Sequence, residues 1–241
     1  MENRELCPLY CGGNLIKIGK PLLKQENLKI WENEERVLYF SVIGNKPKTP
    51  RIAIVGLSPG QNQLRKLIKG YNDGLSFQEA AEIAGFSLRE KELARAMRAM
   101  GIDRELGIQI DDNYNFNESP YFYITSLVKC AFMGKDKKPS KAFPPLKYEV
   151  SRKCIKHRFM KEIFSIKEIG LKRVFILGDK GWEAVNSKDL FDNGISIKEI
   201  LEREGLKVEK LPHTSRLRFP SHMKKFKEDI LKKAQGAKFS K

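Results

Sequence analysis

The sequence predicts a three-layer α/β/α sandwich around a central four-stranded parallel sheet, on three observations. Four short segments read as strands, the central ones apolar runs of the kind found in parallel sheets covered on both faces. Segments with apolar residues at three- and four-residue spacing separate them. Each run ends in a polar or glycine-rich turn, as strands do where they hand over to a helix.

Taken in order, Arg51-Ile-Ala-Ile-Val55 is the first run and leads into Gly56-Leu-Ser-Pro-Gly60. Helical spacing follows over Phe77–Ala84 and Leu88–Met100, two packed helices joined by a turn at Gly85. Residues 107–120 are polar and turn-rich and read as an irregular insert. Tyr121–Val128 is the second run, ending at Lys129-Cys130, and the Lys/Pro-rich segment 134–145 reads as an exposed loop. An amphipathic helix is expected over Ile155–Ile169. Lys172–Leu177 runs into Gly178, and Leu206–Leu211 runs into Pro212-His213. A basic helix over about 221–235 closes the chain. Ligands in such folds bind beyond the carboxyl ends of the strands, so Gly56–Gly60, Ser126–Cys130 and Pro212–Arg216 should meet at one cleft.

The 241 residues and 41% apolar content suit one domain over residues 1–241. Runs long enough to cross a bilayer are lacking, and Met-Glu-Asn-Arg-Glu is not the start of a signal peptide, so a cytoplasmic monomer with no membrane partner is expected. The formal net charge is +16. From Gly205 to Lys241 there are eleven Lys/Arg against three Asp/Glu, a local net of +8. Abundant Lys, Glu and Ile would also fit a thermophilic source, but that enrichment raises both signs, and here one is in excess. A polyanionic partner is therefore expected, and DNA, single- or double-stranded, is the first choice.

Two local features suggest chemistry. The four cysteines are Cys7, Cys11, Cys130 and Cys154, and four thiolates suit either a [4Fe–4S] cluster or a tetrahedral Zn2+. Isolated cysteines are often inert core residues. Cys7 before Pro8, and Cys154 within Ser151-Arg-Lys-Cys-Ile-Lys-His157, sit in settings poorly suited to that role. His213 follows a strand end, beside Thr214, Ser215 and Arg216, in the most basic stretch of the chain.

Several motifs then line up in order. Gly56-Leu-Ser-Pro-Gly60 is similar to the first motif of uracil-DNA glycosylases, and Tyr123-Ile-Thr-Ser-Leu-Val-Lys-Cys130 resembles a segment of their iron–sulfur (family 4) branch. Ala94–Asp103 resembles the helix before the family's second strand, and Val174-Phe-Ile-Leu-Gly178 with Trp182-Glu-Ala-Val185 its third strand and helix. Leu211-Pro-His-Thr-Ser-Arg216, with Leu217-Arg-Phe-Pro220, is similar to the second catalytic motif. All four cysteines fall where that branch has cluster ligands, and the resemblance spans nearly the whole chain.

The resemblance implies excision of a deaminated or damaged base, uracil first, flipped into the cleft and released by hydrolysis of its N-glycosidic bond. It makes His213 the donor to the base O2 as negative charge develops. Gly56, Leu57, Gly60, Tyr71 and Ser126 would line the base. Thr214, Ser215, Arg216, Leu217 and Arg218 would contact the nucleic acid, with Leu217 or Phe219 wedging into the stack. Cys7, Cys11, Cys130 and Cys154 would hold a structural [4Fe–4S] cluster, with Zn2+ the alternative.

The chain departs from the pattern in its acids. Leu57 stands where the branch has Glu, Ser58 where others have Asp or Asn, and Ser126 where the branch has a base-reading Asn. Ser58 or Asp73 is left to handle water. The N-terminal cysteines are spaced CxxxC, one residue wider than usual. A nucleic-acid-binding protein with little or no turnover, and a glycosylase for another modified base, are the competing readings.

Overall fold

The computed structural model describes residues 22–41, 44–45, 47–85, 90–135 and 144–236. The strands, in chain order, are β1 (Lys29–Glu32), β2 (Arg36–Tyr39), β3 (Ile52–Gly56), β4 (Phe122–Ser126), β5 (Ala131–Gly134), β6 (Arg173–Leu177) and β7 (Lys207–Leu211). The helices are α1 (Gln61–Asn72), α2 (Phe77–Ile83), α3 (Glu90–Ala99), α4 (Ile102–Leu106), α5 (Glu149–Cys154), α6 (Met160–Glu168), α7 (Gly178–Asn186), α8 (Ile197–Arg203), α9 (Thr214–Leu217) and α10 (Pro220–Gly236). A π-helical turn, Ile155–Phe159, joins α5 to α6.

The central sheet is parallel throughout, in the order β4-β3-β6-β7. The central β3 and β6 are apolar runs because both faces are covered, whereas the edge strand β7 alternates. On one face Ala53, Val55, Tyr123, Val174, Ile176 and Val208 pack with residues of α1, α2 and α6–α8. On the other, Ile52, Ile54, Phe122, Ile124, Phe175, Leu177 and Leu211 pack with α3, α4, α9 and α10. This is the α/β/α sandwich that the sequence predicts.

A second sheet is not foreseen by the sequence. β1, β2 and β5 form an antiparallel ribbon, and β5 begins immediately after Cys130. The chain therefore leaves the central sheet at Ser126, turns through Leu127–Cys130, and enters the ribbon. Trp31 stacks on Phe132 at 5.7 Å, and Phe132 meets Tyr148 at 5.0 Å, closing the ribbon's apolar face.

β4 is an edge of the central sheet, and an unpaired edge invites association with other chains. Asn45 covers it. Its side-chain nitrogen donates to Phe122 O at 2.7 Å, and its side-chain oxygen accepts from Ile124 N–H at 2.8 Å. The amide thus stands in for a neighbouring strand.

Candidate active site

At one end of the sheet, Gly56 pairs with Ser126 as the last residues in register. The pairing continues past the strands: Leu127 N–H donates to Gly56 O at 2.9 Å and Val128 N–H to Leu57 O at 3.0 Å. The Gly56–Gly60 turn is thereby pinned to the loop after β4. Leu57 packs against the hydrophobic core, Pro59 is buried, and Ser58 is half-buried. Gly60 leads into α1, whose first turn is held by the Gln63 side chain accepting from Gly60 N–H at 2.8 Å. Ser126 is 5% exposed, and its hydroxyl donates to Val128 O at 2.9 Å, within its own turn.

The structure does not bring Asp73 or Tyr71 to this turn. Both lie at the far end of α1, a 12-residue helix, and at about 1.5 Å of rise per residue that end is roughly 18 Å from Gly60. Asp73 caps α1 and pairs with Lys69 on the same helix. Tyr71 packs edge-on to Phe77 at 6.3 Å, and Phe77 stacks on Phe40 at 5.4 Å. A tyrosine in an aromatic row and a carboxylate in a surface ion pair are structural roles. Their nearness in sequence to the first turn misleads because a helix intervenes.

The β7 side of the same carboxyl end is built differently. His213 is exposed at the N-cap of α9. Its Nδ1 accepts from Ser215 N–H at 3.2 Å and lies 2.8 Å from Ser215 Oγ. A ring that accepts a backbone N–H at Nδ1 has no proton there, so in the neutral ring the proton is on Nε2 and that nitrogen is a donor. Gly178, where α7 begins, backs the ring. Its φ is +78°, and a Cβ there would lie 3.4 Å from His213 Cβ. The sequence places Gly178 at the end of the third run but gives neither it nor its neighbour Asp179 a role in the site. Asp179 pairs with Lys210 at 2.7 Å and with Arg216 at 2.7 Å. The lysine hydrogen bond, with both cationic charges, holds its carboxyl below the usual range against a small burial penalty.

Of the five residues after His213 assigned to nucleic acid, the structure leaves three at the surface. Ser215 is half-buried, and Arg216 and Arg218 are exposed. Thr214 is buried at 4%, and Leu217, at 3%, packs into the core beneath α9. Leu217 is therefore no wedge. Phe219 is 45% exposed, with the Arg218 guanidinium 4.6 Å from its ring and His222 edge-on at 5.7 Å.

The sheet order puts β6 between the first turn and His213, so along the carboxyl end a pinned turn stands on one side of β6 and an imidazole on the other. The model of the uracil DNA glycosylase superfamily matches residues 43–235, a span holding both. The chain belongs to this superfamily. Among solved structures it is similar to one titled "The crystal structure of WT Pedobacter heparinus SMUG2", at 13% identity and a TM-score of 0.41, covering 80% of this chain and 77% of that one. No curated protein matches. Superfamily membership makes the protein DNA-glycosylase-like in function. No described helix is long and apolar enough to cross a membrane.

Of the four cysteines, Cys130 lies at the β4–β5 joint and Cys154 ends α5. Cys7 and Cys11 lie outside the described residues. Cys130 and Cys154 are buried, at 4% and 7%. Lys129 N–H points at Cys154 Sγ from 3.4 Å, so the residue joined to Cys130 touches Cys154. Ser151 Oγ, one helical turn before Cys154, is buried without a hydrogen-bond partner. Both cysteines belong to the hydrophobic core, unlike the setting expected for Cys154 from its sequence neighbours, and the backbone N–H aimed at the Cys154 sulfur is compatible with a thiolate there. Among the described residues there is no group of three or more His, Cys, Asp or Glu able to hold a metal, so a complete donor set needs the N-terminal pair.

Next to Cys130, Lys129 anchors a buried polar network. Lys129, 4% exposed, pairs with Glu162 and with Thr125 Oγ1, and Thr125 Oγ1 donates to Glu162 at 2.6 Å. Burial alone would raise the Glu162 carboxyl, but Lys129, Thr125 and Tyr123 outweigh it and hold it low.

Proposed function

We propose that the protein is a DNA glycosylase that excises a deaminated or damaged base, uracil being the first candidate, by hydrolysis of the N-glycosidic bond. The observation that carries the reading is the His213 ring, which accepts at Nδ1 and so offers Nε2–H as a donor at the sheet's carboxyl end.

The target nucleotide rotates out of the stack, and the exposed Phe219 is the apolar group available to fill the gap. His213 Nε2–H donates to the base O2 as the C–N bond lengthens and negative charge grows on the base. A neutral donor suits this, since the leaving anion is stabilised without taking a proton. On the other side of the sugar, Ser58 is the polar side chain of the first motif and can orient water by hydrogen bonding. Leu57 and Ser58 carry no charge, so the oxocarbenium-like sugar receives no carboxylate from that motif. Bond breaking thus leans on the leaving group. With the Ser126 hydroxyl bound to Val128 O, its oxygen lone pairs remain to meet a base edge, a looser reading than an amide gives.

Cys7, Cys11, Cys130 and Cys154 would hold a structural [4Fe–4S] cluster, or Zn2+, tying the N-terminal segment to the β4–β5 joint. A bound centre would supply rigidity there, and no step of the reaction runs through it. The absorbance of anaerobically purified protein, with metal analysis, separates iron from zinc.

The missing acid favours a second reading, a DNA-binding protein with little turnover. Oligonucleotides carrying single uracil, hypoxanthine or xanthine, treated with alkali after incubation, decide between them. Scission that disappears in His213→Ala is expected, and the preferred base reports what Ser126 admits. No scission of any substrate, with salt-sensitive DNA binding retained, would overturn the enzymatic reading in favour of the binder.

A further inference from the structure

Lys210 and Arg216 stand three residues before and three residues after His213, one on β7 and one on α9. Asp179 bridges them, taking Lys210 on one carboxylate oxygen and Arg216 on the other, each at 2.7 Å. The same stretch holds Arg218, Lys224, Lys225 and Lys227, and among the described residues none of these is in an ion pair with a carboxylate. The two cations that flank the imidazole are thus singled out. Stability is a weak reason for the arrangement, since the three side chains are 40–61% exposed and such pairs contribute little. Position is a better one. Asp179 follows Gly178, where an added Cβ would meet His213, so one short stretch lies close behind that residue and grips both ends of the segment carrying it.

We propose that Asp179 is a positioning residue for His213, bridging Lys210 and Arg216 to hold the imidazole's turn in place and to keep these two cations from phosphate. It acts through the loop and touches no substrate. The inference rests on the nucleic-acid reading above, and it predicts opposite signs for two properties. Removing the charge frees two cations, so binding to ordinary DNA tightens. The same change loosens the turn, so the ring loses its fixed tautomer.

The experiment uses the full chain, as wild type, Asp179→Asn and the charge-preserving Asp179→Glu, with thermal unfolding to confirm that each folds. The affinity for a duplex without damaged bases is followed over a KCl series. In Asp179→Asn the slope of log K against log [KCl] should steepen by about 1 to 2, near 0.9 for each new phosphate contact, with affinity raised several-fold at low salt. Asp179→Glu should keep the wild-type slope. Long-range 1H–15N spectra of the imidazoles read the ring directly. His213 should be the Nε2–H tautomer in the wild type and in Asp179→Glu, and average between tautomers in Asp179→Asn. An unchanged slope, or an unchanged His213 spectrum, overturns the proposal while the glycosylase reading stands. A wild type that binds no DNA sinks the nucleic-acid reading instead, and the ring spectrum then decides the positioning role alone.

Discussion

The β3–β4 and β6–β7 ends of the same parallel sheet hold their polar groups in opposite ways. At the first, Gly56 O, Leu57 O and the Ser126 hydroxyl are all engaged with the chain itself, and Lys129, Thr125 and Glu162 form a closed network behind them. At the second, His213 is exposed, with Ser215 on Nδ1 orienting the ring, and Arg216 is exposed but held by Asp179. The first side is architecture; the second carries its polar groups at the surface. Under the proposed glycosylase reading, the contrast locates the driving force: with no carboxylate in the first motif, the leaving base and not the attacking water is what the protein would stabilise.

Substitutions at the two ends should therefore fail differently. His213→Ala should lower single-turnover excision by about 10²–10³-fold, the cost of losing one preorganised donor to a developing anion. Its stability should fall by only about 1 kcal/mol for the lost helix cap. Lys129→Met should do the reverse. Stripping the cation from a largely buried pair costs about 3 kcal/mol, read as a drop in the unfolding midpoint, with excision per folded molecule unchanged.

The same network gives a pH signature. The folded Glu162 carboxyl lies below its ordinary value of 4.5, so its contribution is complete above that value and is lost as pH falls through the lower folded one. Wild type should accordingly destabilise below about pH 4.5, and Lys129→Met, which has lost the ammonium, should show less of that loss in acid unfolding curves. Ser58→Ala should slow excision by no more than about tenfold, the worth of one neutral hydrogen bond. Smallest of all, Asp73→Asn should leave the rate within about twofold, as expected for an exposed pair with Lys69. A large loss there would mean that α1 moves.

Strands β3 and β6 were legible because buried parallel strands are written as apolar runs, β7 by its alternation, and His213 because its motif is local. What the sequence hid is mostly long-range. β1, β2 and β5 are four-residue strands, and β2 finds its partner beyond Cys130. The spacing of Leu64, Leu67, Ile68 and Tyr71 did signal α1, and reading it would have moved Tyr71 and Asp73 away from the first motif. Leu217 and Phe219 share a motif, yet only the three-dimensional packing sends one into the core and the other to the surface. Asp179 carried no signal, since a carboxylate after a glycine turn is ordinary until its two cations fold onto it.

The contrast between the sheet ends is tested most directly by single-turnover excision from a uracil-containing duplex, comparing wild type, His213→Ala and Ser58→Ala side by side. The account predicts a loss of at least about 100-fold for His213→Ala and of no more than about tenfold for Ser58→Ala. A larger loss for Ser58→Ala than for His213→Ala would contradict it, and would move the driving chemistry to the water side of the cleft.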